Sequence, residues 1–135
     1  MSAALLTAAC GSDSTTSPPQ PTSPVGSYTM STANGKNLPV ALYADGNYTY
    51  EVTLGTIGLT SDGKYTLITT YRQTIPGNVE TFVDSSGGSW TLTGTAISLT
   101  DAADGSTGSL TWASNTLSFA VVDGKTTNTF VYTRK

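Results

Sequence analysis

Glu51, Glu80 and Asp84 are the acids of this 135-residue chain that stand outside the N-terminal tract and the obvious turns. Two carboxylates about 5 to 9 Å apart can hydrolyse a glycosidic bond, so their placement decides whether acid catalysis is available. In an alternating strand Glu51 falls opposite Tyr48, Tyr50 and Val52, on the side that faces water, while Glu80 and Asp84 share a face with Phe82. The acids do not converge, and no enzyme activity is expected. Asp101-Ala102-Ala103-Asp104-Gly105-Ser106 offers oxygen ligands before a glycine but lacks the further acids and the closing Glu of a calcium loop. Asx turns account for both aspartates. The chain has no histidine, which removes the usual general base near neutral pH, the commonest metal ligand and any Ser-His-Asp triad. Its single cysteine, Cys10, has no partner for a disulfide within the chain. Neither a cofactor nor a metal is expected.

Aromatic side chains are what remains. Tyr28, Tyr48, Tyr50, Tyr65, Tyr71, Trp90, Phe119 and Tyr132 are the candidate lining of a small-molecule pocket, joined in the ring inventory by Trp112 and Phe130. Rings with a few hydroxyls are the usual make-up of a site for a partly apolar ligand. In a fully packed interior the same rings are simply core. A buried phenol needs a hydrogen-bond partner, which a polar ligand or a neighbouring Thr supplies equally well.

The elements that must position these rings are strands. Asn34-Gly35, Asp45-Gly46, Asp62-Gly63, Asp104-Gly105 and Asp123-Gly124 are dipeptides of the kind that reverses a hairpin. Further breaks are expected at Pro76-Gly77-Asn78, Gly87-Gly88, Gly94 and Ser114-Asn115. Between them the residues alternate: Tyr48, Tyr50, Val52 and Leu54 share one face, Tyr65, Leu67, Thr69 and Tyr71 another, as do Leu117, Phe119 and Val121, and then Phe130 and Tyr132. No apolar period suits a helix. Abundant Thr and Tyr favour pleated surfaces, so the fold class is all-β, an antiparallel up-and-down meander of about eight to ten strands. Closing it into a barrel hides the edges that Thr-rich strands would present for aggregation. The alternative is an open two-sheet β-sandwich.

Only 11% of the residues are charged and the net charge is -3, so there is no basic face for phosphates and nucleic acid is not a partner. At the N-terminus, Leu6-Thr7-Ala8-Ala9-Cys10 follows a short apolar run and resembles the lipobox of bacterial lipoproteins, with Leu6 one place further from the cysteine than that family's usual leucine. The resemblance implies that Cys10 is lipidated and that residues 1–9 are the remnant of a signal peptide. No Lys or Arg precedes Lys36, so the basic start of that signal is expected to lie outside this sequence. Residues 10–24, rich in Ser, Thr and Pro, read as a disordered tether with a reach on the order of 40 Å. Gly11, rather than Asp, after the cysteine implies the outer membrane by the family's sorting rule.

Residues 25–135 form the expected barrel domain. Gly26-Ser27-Tyr28 on the first strand and Arg134 on the last resemble the lipocalin and calycin arrangement of Gly-x-Trp with a late Arg packed across the ring, Tyr28 standing in place of the Trp. That likeness implies a lipocalin-like barrel closed by the Tyr28–Arg134 pair. The whole pattern of lipobox, tether and Thr-rich hairpins is similar to small bacterial lipoproteins with lipocalin-like domains. The expectation is therefore a monomer tethered to the cell envelope, facing the periplasm or the cell surface. Its partners are the lipid bilayer, through the N-terminal anchor, and a small, partly apolar ligand inside the barrel. The alternative is a structural or interaction lipoprotein whose filled barrel meets another envelope protein and takes no small ligand.

Overall fold

Each reversal of the chain is made by a short turn whose residues tolerate a left-handed backbone, and Asn34 and Gly35, at φ 52° and 73°, are the clearest pair. These turns divide the chain, seen in a computed structural model that describes Pro19 and residues 21–135, into ten strands with no helix among the described residues. They are β1 (Gly26–Ala33), β2 (Lys36–Asn37), β3 (Val40–Ala44), β4 (Thr49–Leu59), β5 (Lys64–Ile75), β6 (Asn78–Thr93), β7 (Ala96–Asp101), β8 (Thr107–Ala113), β9 (Thr116–Asp123) and β10 (Thr126–Arg134). All neighbours are antiparallel. β1 pairs with β10 through Tyr28↔Arg134 to Ala33↔Phe130 and with β4 through Gly26↔Leu59 to Thr29↔Thr56. This double pairing closes an eight-stranded barrel from β1 and β4 to β10, with β2 and β3 as extra strands at one end. Cys10, the expected lipidation site, and residues 1–9, the expected signal remnant, lie outside the described residues. The folded part begins before residue 25, since Pro24 is fully buried.

Bulges bend three strands where the barrel must curve, with register shifts at Ser31 in β1, Leu42 in β3 and Thr53 in β4. The bulge at Thr53 corrects one expected face. Tyr50 and Val52 point inward, but the extra residue turns Leu54 out to 48% exposure and brings Gly55, Ile57 and Leu59 inside. A second correction concerns Gly87-Gly88, expected as a break. β6 runs straight through it for 16 residues, because here the two glycines let the neighbouring turn approach. Ala102 N–H donates to the Gly87 carbonyl at 2.9 Å, and a Cβ on Gly88 would collide with the Thr100 carbonyl.

The barrel wall is uneven. β7 meets β6 only from Gly88↔Asp101 to Thr93↔Ala96, and β8 meets β9 only from Thr111↔Ser118 to Ala113↔Thr116. The β7–β8 hairpin is thus short. Above it the outer edges of β6, from Asn78 to Ser86, and of β9, from Phe119 to Asp123, carry no ladder partner and flank a lateral opening. Below it the interior is packed with Tyr28, Ile57, Ile97, Leu99, Leu110 and Leu117, all buried.

Candidate functional site: a cavity under the lateral opening

Period-two alternation delivers β5 residues Leu67, Thr69 and Tyr71 to the interior, and the β5–β6 register sets Asp84 opposite Thr69 and Phe82 opposite Tyr71. β1 adds Met30, β9 adds Phe119 and Val121, and β10 adds Phe130 and Tyr132. Together, Phe82 excepted, they enclose a cavity of about 170 Å³ beneath the opening. Its aromatic wall is ordered: the Phe119 ring lies 5.9 Å from Tyr132 at 19° and 5.3 Å from Phe130 at 37°. Tyr71 stacks on Tyr50 at 5.0 Å and 14°. The apolar rings form the side, and Thr69, Tyr71 and Asp84 are the polar residues of its lining, the Tyr132 oxygen being buried beneath.

Tyr132 is the unusual member. Its side chain is fully buried, yet its hydroxyl has no hydrogen-bond partner among the described residues. Burial pushes its pKa up to about 12, against the Thr69 side chain, a hydrogen-bonding neighbour just beyond good geometry and next in weight, which lowers it, while Tyr71 adds to the rise. The phenol therefore stays protonated as a donor. Room for it comes from Gly55 on β4, where a Cβ would stand 2.8 Å from the Tyr132 oxygen and 2.5 Å from Met30 Cε. Burial also raises Tyr71, with the Asp84 charge adding to it, and raises Tyr50, with Tyr71 next in weight. Asp84 is exposed at the opening.

The expected lining residues are thus split. Tyr71, Phe119 and Tyr132 share the cavity, whereas Tyr50 turns its edge to a recess at the barrel rim with Leu42, Tyr43, Asp123, Thr126 and Asn128. Tyr48 lies against Tyr43 at that rim, centroids 5.6 Å apart. Tyr28, Tyr65 and Trp90 belong to the packed end. Trp90 Nε1 donates to the Thr60 carbonyl at 3.1 Å, and Tyr28 donates to the Pro24 carbonyl at 2.7 Å. Arg134 lies with its guanidinium carbon 4.9 Å from the centre of the Tyr28 ring, and its nitrogens donate to the carbonyls of Ser23 and Val25. Phe130, from the wider ring inventory, lines it too, and the lining residues that sequence reasoning passed over are Met30, Leu67, Thr69, Asp84 and Val121. The β5 alternation already grouped Leu67 and Thr69 with Tyr71; Met30 and Asp84 needed the strand register.

The acids are dispersed. Glu51 is not free in solvent, for it accepts from Arg72 Nε at 2.9 Å and Nη2 at 2.7 Å, with 19% of its side chain exposed. Glu80 accepts from Asn78 and stands four residues from Asp84 on one strand, about 13 Å by strand rise. Asp101 and Asp104 accept from the backbone of Ala103 and Ser106 as Asx turns. Among the described residues no three Asp, Glu, His or Cys side chains gather as metal ligands would. Another recess, about 630 Å³, is an open shelf on the outer wall beside Ile68 and Ala102, without a buried polar group. Comparison of the chain with protein-family models, with curated proteins and with solved structures found no match.

Proposed function

We propose that the barrel is a binding module for a small, partly apolar molecule, carried at a bacterial cell envelope by a lipid on Cys10. The ring-walled cavity beneath the lateral opening carries this reading. At about 170 Å³ the cavity is close to the roughly 150 Å³ that accommodates benzene in an apolar interior. Its size suits one ring with a small substituent and leaves no space for a long lipid chain. The anchor rests on the likeness of residues 6–10 to a lipobox and on the Pro-rich residues that follow.

Native mass spectrometry of the protein isolated from its host tests the first half, with an added mass of about a hundred to two hundred daltons expected for a single-ring ligand. A bare chain in every charge state counts against it. Labelled palmitate tests the second half: incorporation is expected in the complete gene product and is lost in Cys10→Ser.

One observation favours a second reading, in which the barrel serves as an interaction protein. Val79, Val83 and Val122 are 60%, 66% and 70% exposed on the outer face beside the lateral opening, and open strand edges readily take up a strand from a partner. A photo-crosslinker placed at Val83 would then yield one discrete adduct in intact cells.

A further inference from the structure

One carboxylate faces the cavity, and no basic side chain among the described residues pairs with it. Asp84 is an inward position of β6, opposite Thr69 in the β5–β6 register, and it lines the mouth of the cavity while staying exposed to water. Resting on the reading that the barrel interior holds a ligand, we infer that this ligand is a small organic cation: one aromatic ring on a short chain that ends in a protonated amine, with the ring in the cavity and the ammonium at Asp84.

The acids around the opening supply one sign of charge. Glu80 and Asp84 lie on the free stretch of β6, and Asp123 ends β9 on the other side. None of the described residues lining the cavity is Lys or Arg. Both arginines are engaged elsewhere: Arg72 points outward to Glu51, and Arg134 lies over Tyr28 at the packed end. Lys125 belongs to the turn that follows Asp123, outside the lining. A cation approaching the opening therefore meets a favourable field. That field reaches the wall, since burial and then the Asp84 charge hold the Tyr71 phenol above its ordinary pKa.

The lining decides which cation. A metal ion needs several oxygen ligands, and among the described residues no three Asp, Glu, His or Cys side chains gather to provide them. Apart from Asp84 and Thr69 the lining is aromatic or apolar, and the rings of Tyr71 and Phe119 are half-buried, so part of each is within reach of a ligand. Such rings pack against hydrocarbon and attract an organic cation through their π-systems. The volume of about 170 Å³ suits one ring, since roughly 150 Å³ accommodates benzene. The ammonium then stays at the exposed mouth, beside Asp84, and avoids the desolvation that a buried charge suffers. A carboxylate in its place would meet the like charge of Asp84 with no cation to offset the repulsion.

The test is a calorimetric or chemical-shift titration of the whole protein with phenethylammonium, phenethyl alcohol and phenylacetate, which share a ring and a short chain and differ in charge. Wild-type protein is expected to bind the ammonium about fivefold more tightly than the alcohol, or better, and phenylacetate most weakly. In Asp84→Asn the ammonium should fall to within about twofold of the alcohol, whose own affinity stays unchanged. Glu80→Gln removes an acid of the same strand that is outside the lining and should keep most of the preference. If the wild type binds ammonium and alcohol alike, if Asp84→Asn keeps the preference, or if Glu80→Gln abolishes it as fully, selection by Asp84 is overturned while the barrel remains a binding module. If none of the three binds, the binding reading itself falls and this inference with it. Salt gives the answer on the wild type without any variant. From about 0.01 to 1 M, where the screening length drops from about 30 to 3 Å, the ammonium should lose most of its advantage over the alcohol, and a constant ratio overturns the proposal.

Discussion

Tyr132 buries a whole ring and leaves its hydroxyl unpaired, so at the scale of one residue its removal should stabilise the empty protein. Tyr132→Phe is expected to raise the unfolding free energy by about 1 kcal/mol near neutral pH, read from urea or thermal melting. A loss of stability instead would mean that the hydroxyl is paired. Alkaline pH sharpens the comparison. The phenol ionises near 10.0 when the chain is unfolded and near 12 in the fold, a raised pKa, so its share of stability is intact below pH 10 and is lost as the pH climbs to 12. Two pH units correspond to about 3 kcal/mol. The wild type should therefore weaken across that window more than Tyr132→Phe does, with Tyr28, Tyr50 and Tyr71 contributing smaller losses of the same sign in both proteins. Gly55 is the complement of Tyr132. Its replacement by Ala would press a methyl group onto the phenol oxygen and Met30, and overpacking of this kind costs about 1 to 3 kcal/mol, measurable by the same melts.

At the scale of strands and turns, much was legible because the chemistry is local. The chain turns at all five Asn-Gly and Asp-Gly pairs, and the glycine of four of them, Gly35, Gly63, Gly105 and Gly124, takes the left-handed backbone such turns use. Alternation likewise placed Tyr65, Leu67, Thr69 and Tyr71 on one face, as the structure has them. Leu54 was misplaced because a bulge is a response to curvature, which is a property of the closed sheet and not of any window around Thr53. The cavity was legible only in its rings: which of them meet depends on register between strands far apart in sequence, as for Met30 beside Tyr132. Gly87-Gly88 shows the same limit, since a glycine pair that opens a turn and one that admits a neighbouring carbonyl look alike. Its actual role is testable. Gly88→Ala would set a Cβ inside the Thr100 carbonyl, a backbone atom that cannot swing away, and should cost about 3 kcal/mol or more as the β6–β7 pairing shifts. Gly58→Ala meets nothing within 4 Å and should be neutral or stabilising by up to about 1 kcal/mol. Equal losses for the two variants would mean that backbone conformation, and not the approach of β7, explains Gly88.

For the molecule as a whole, closure is asymmetric, and that asymmetry decides where it can open. β1 binds the two ends of the meander together through β4 and β10, so the wall there has a hydrogen-bonded neighbour on each side. Opposite, the short β7–β8 hairpin leaves β6 and β9 with one-sided pairing over the stretch that guards the cavity. Asp84 and Glu80 on that free stretch of β6 put charge along an edge that would otherwise invite another strand. Local opening follows the number of hydrogen bonds and apolar contacts that must be broken. In hydrogen exchange, the amides of β10 from Phe130 to Arg134 should be the slowest. Those of β6 from Asn78 to Ser86 and of β9 from Ala120 to Asp123 that point across the opening should exchange near the rate of exposed chain. A single-ring molecule that saturates the cavity should slow the segments bordering it and leave the packed end unchanged, because a ligand that binds only the closed form stabilises the elements it touches. Uniform protection around the wall would show that the opening is covered in solution, and the route by which a small molecule reaches the cavity would have to lie elsewhere.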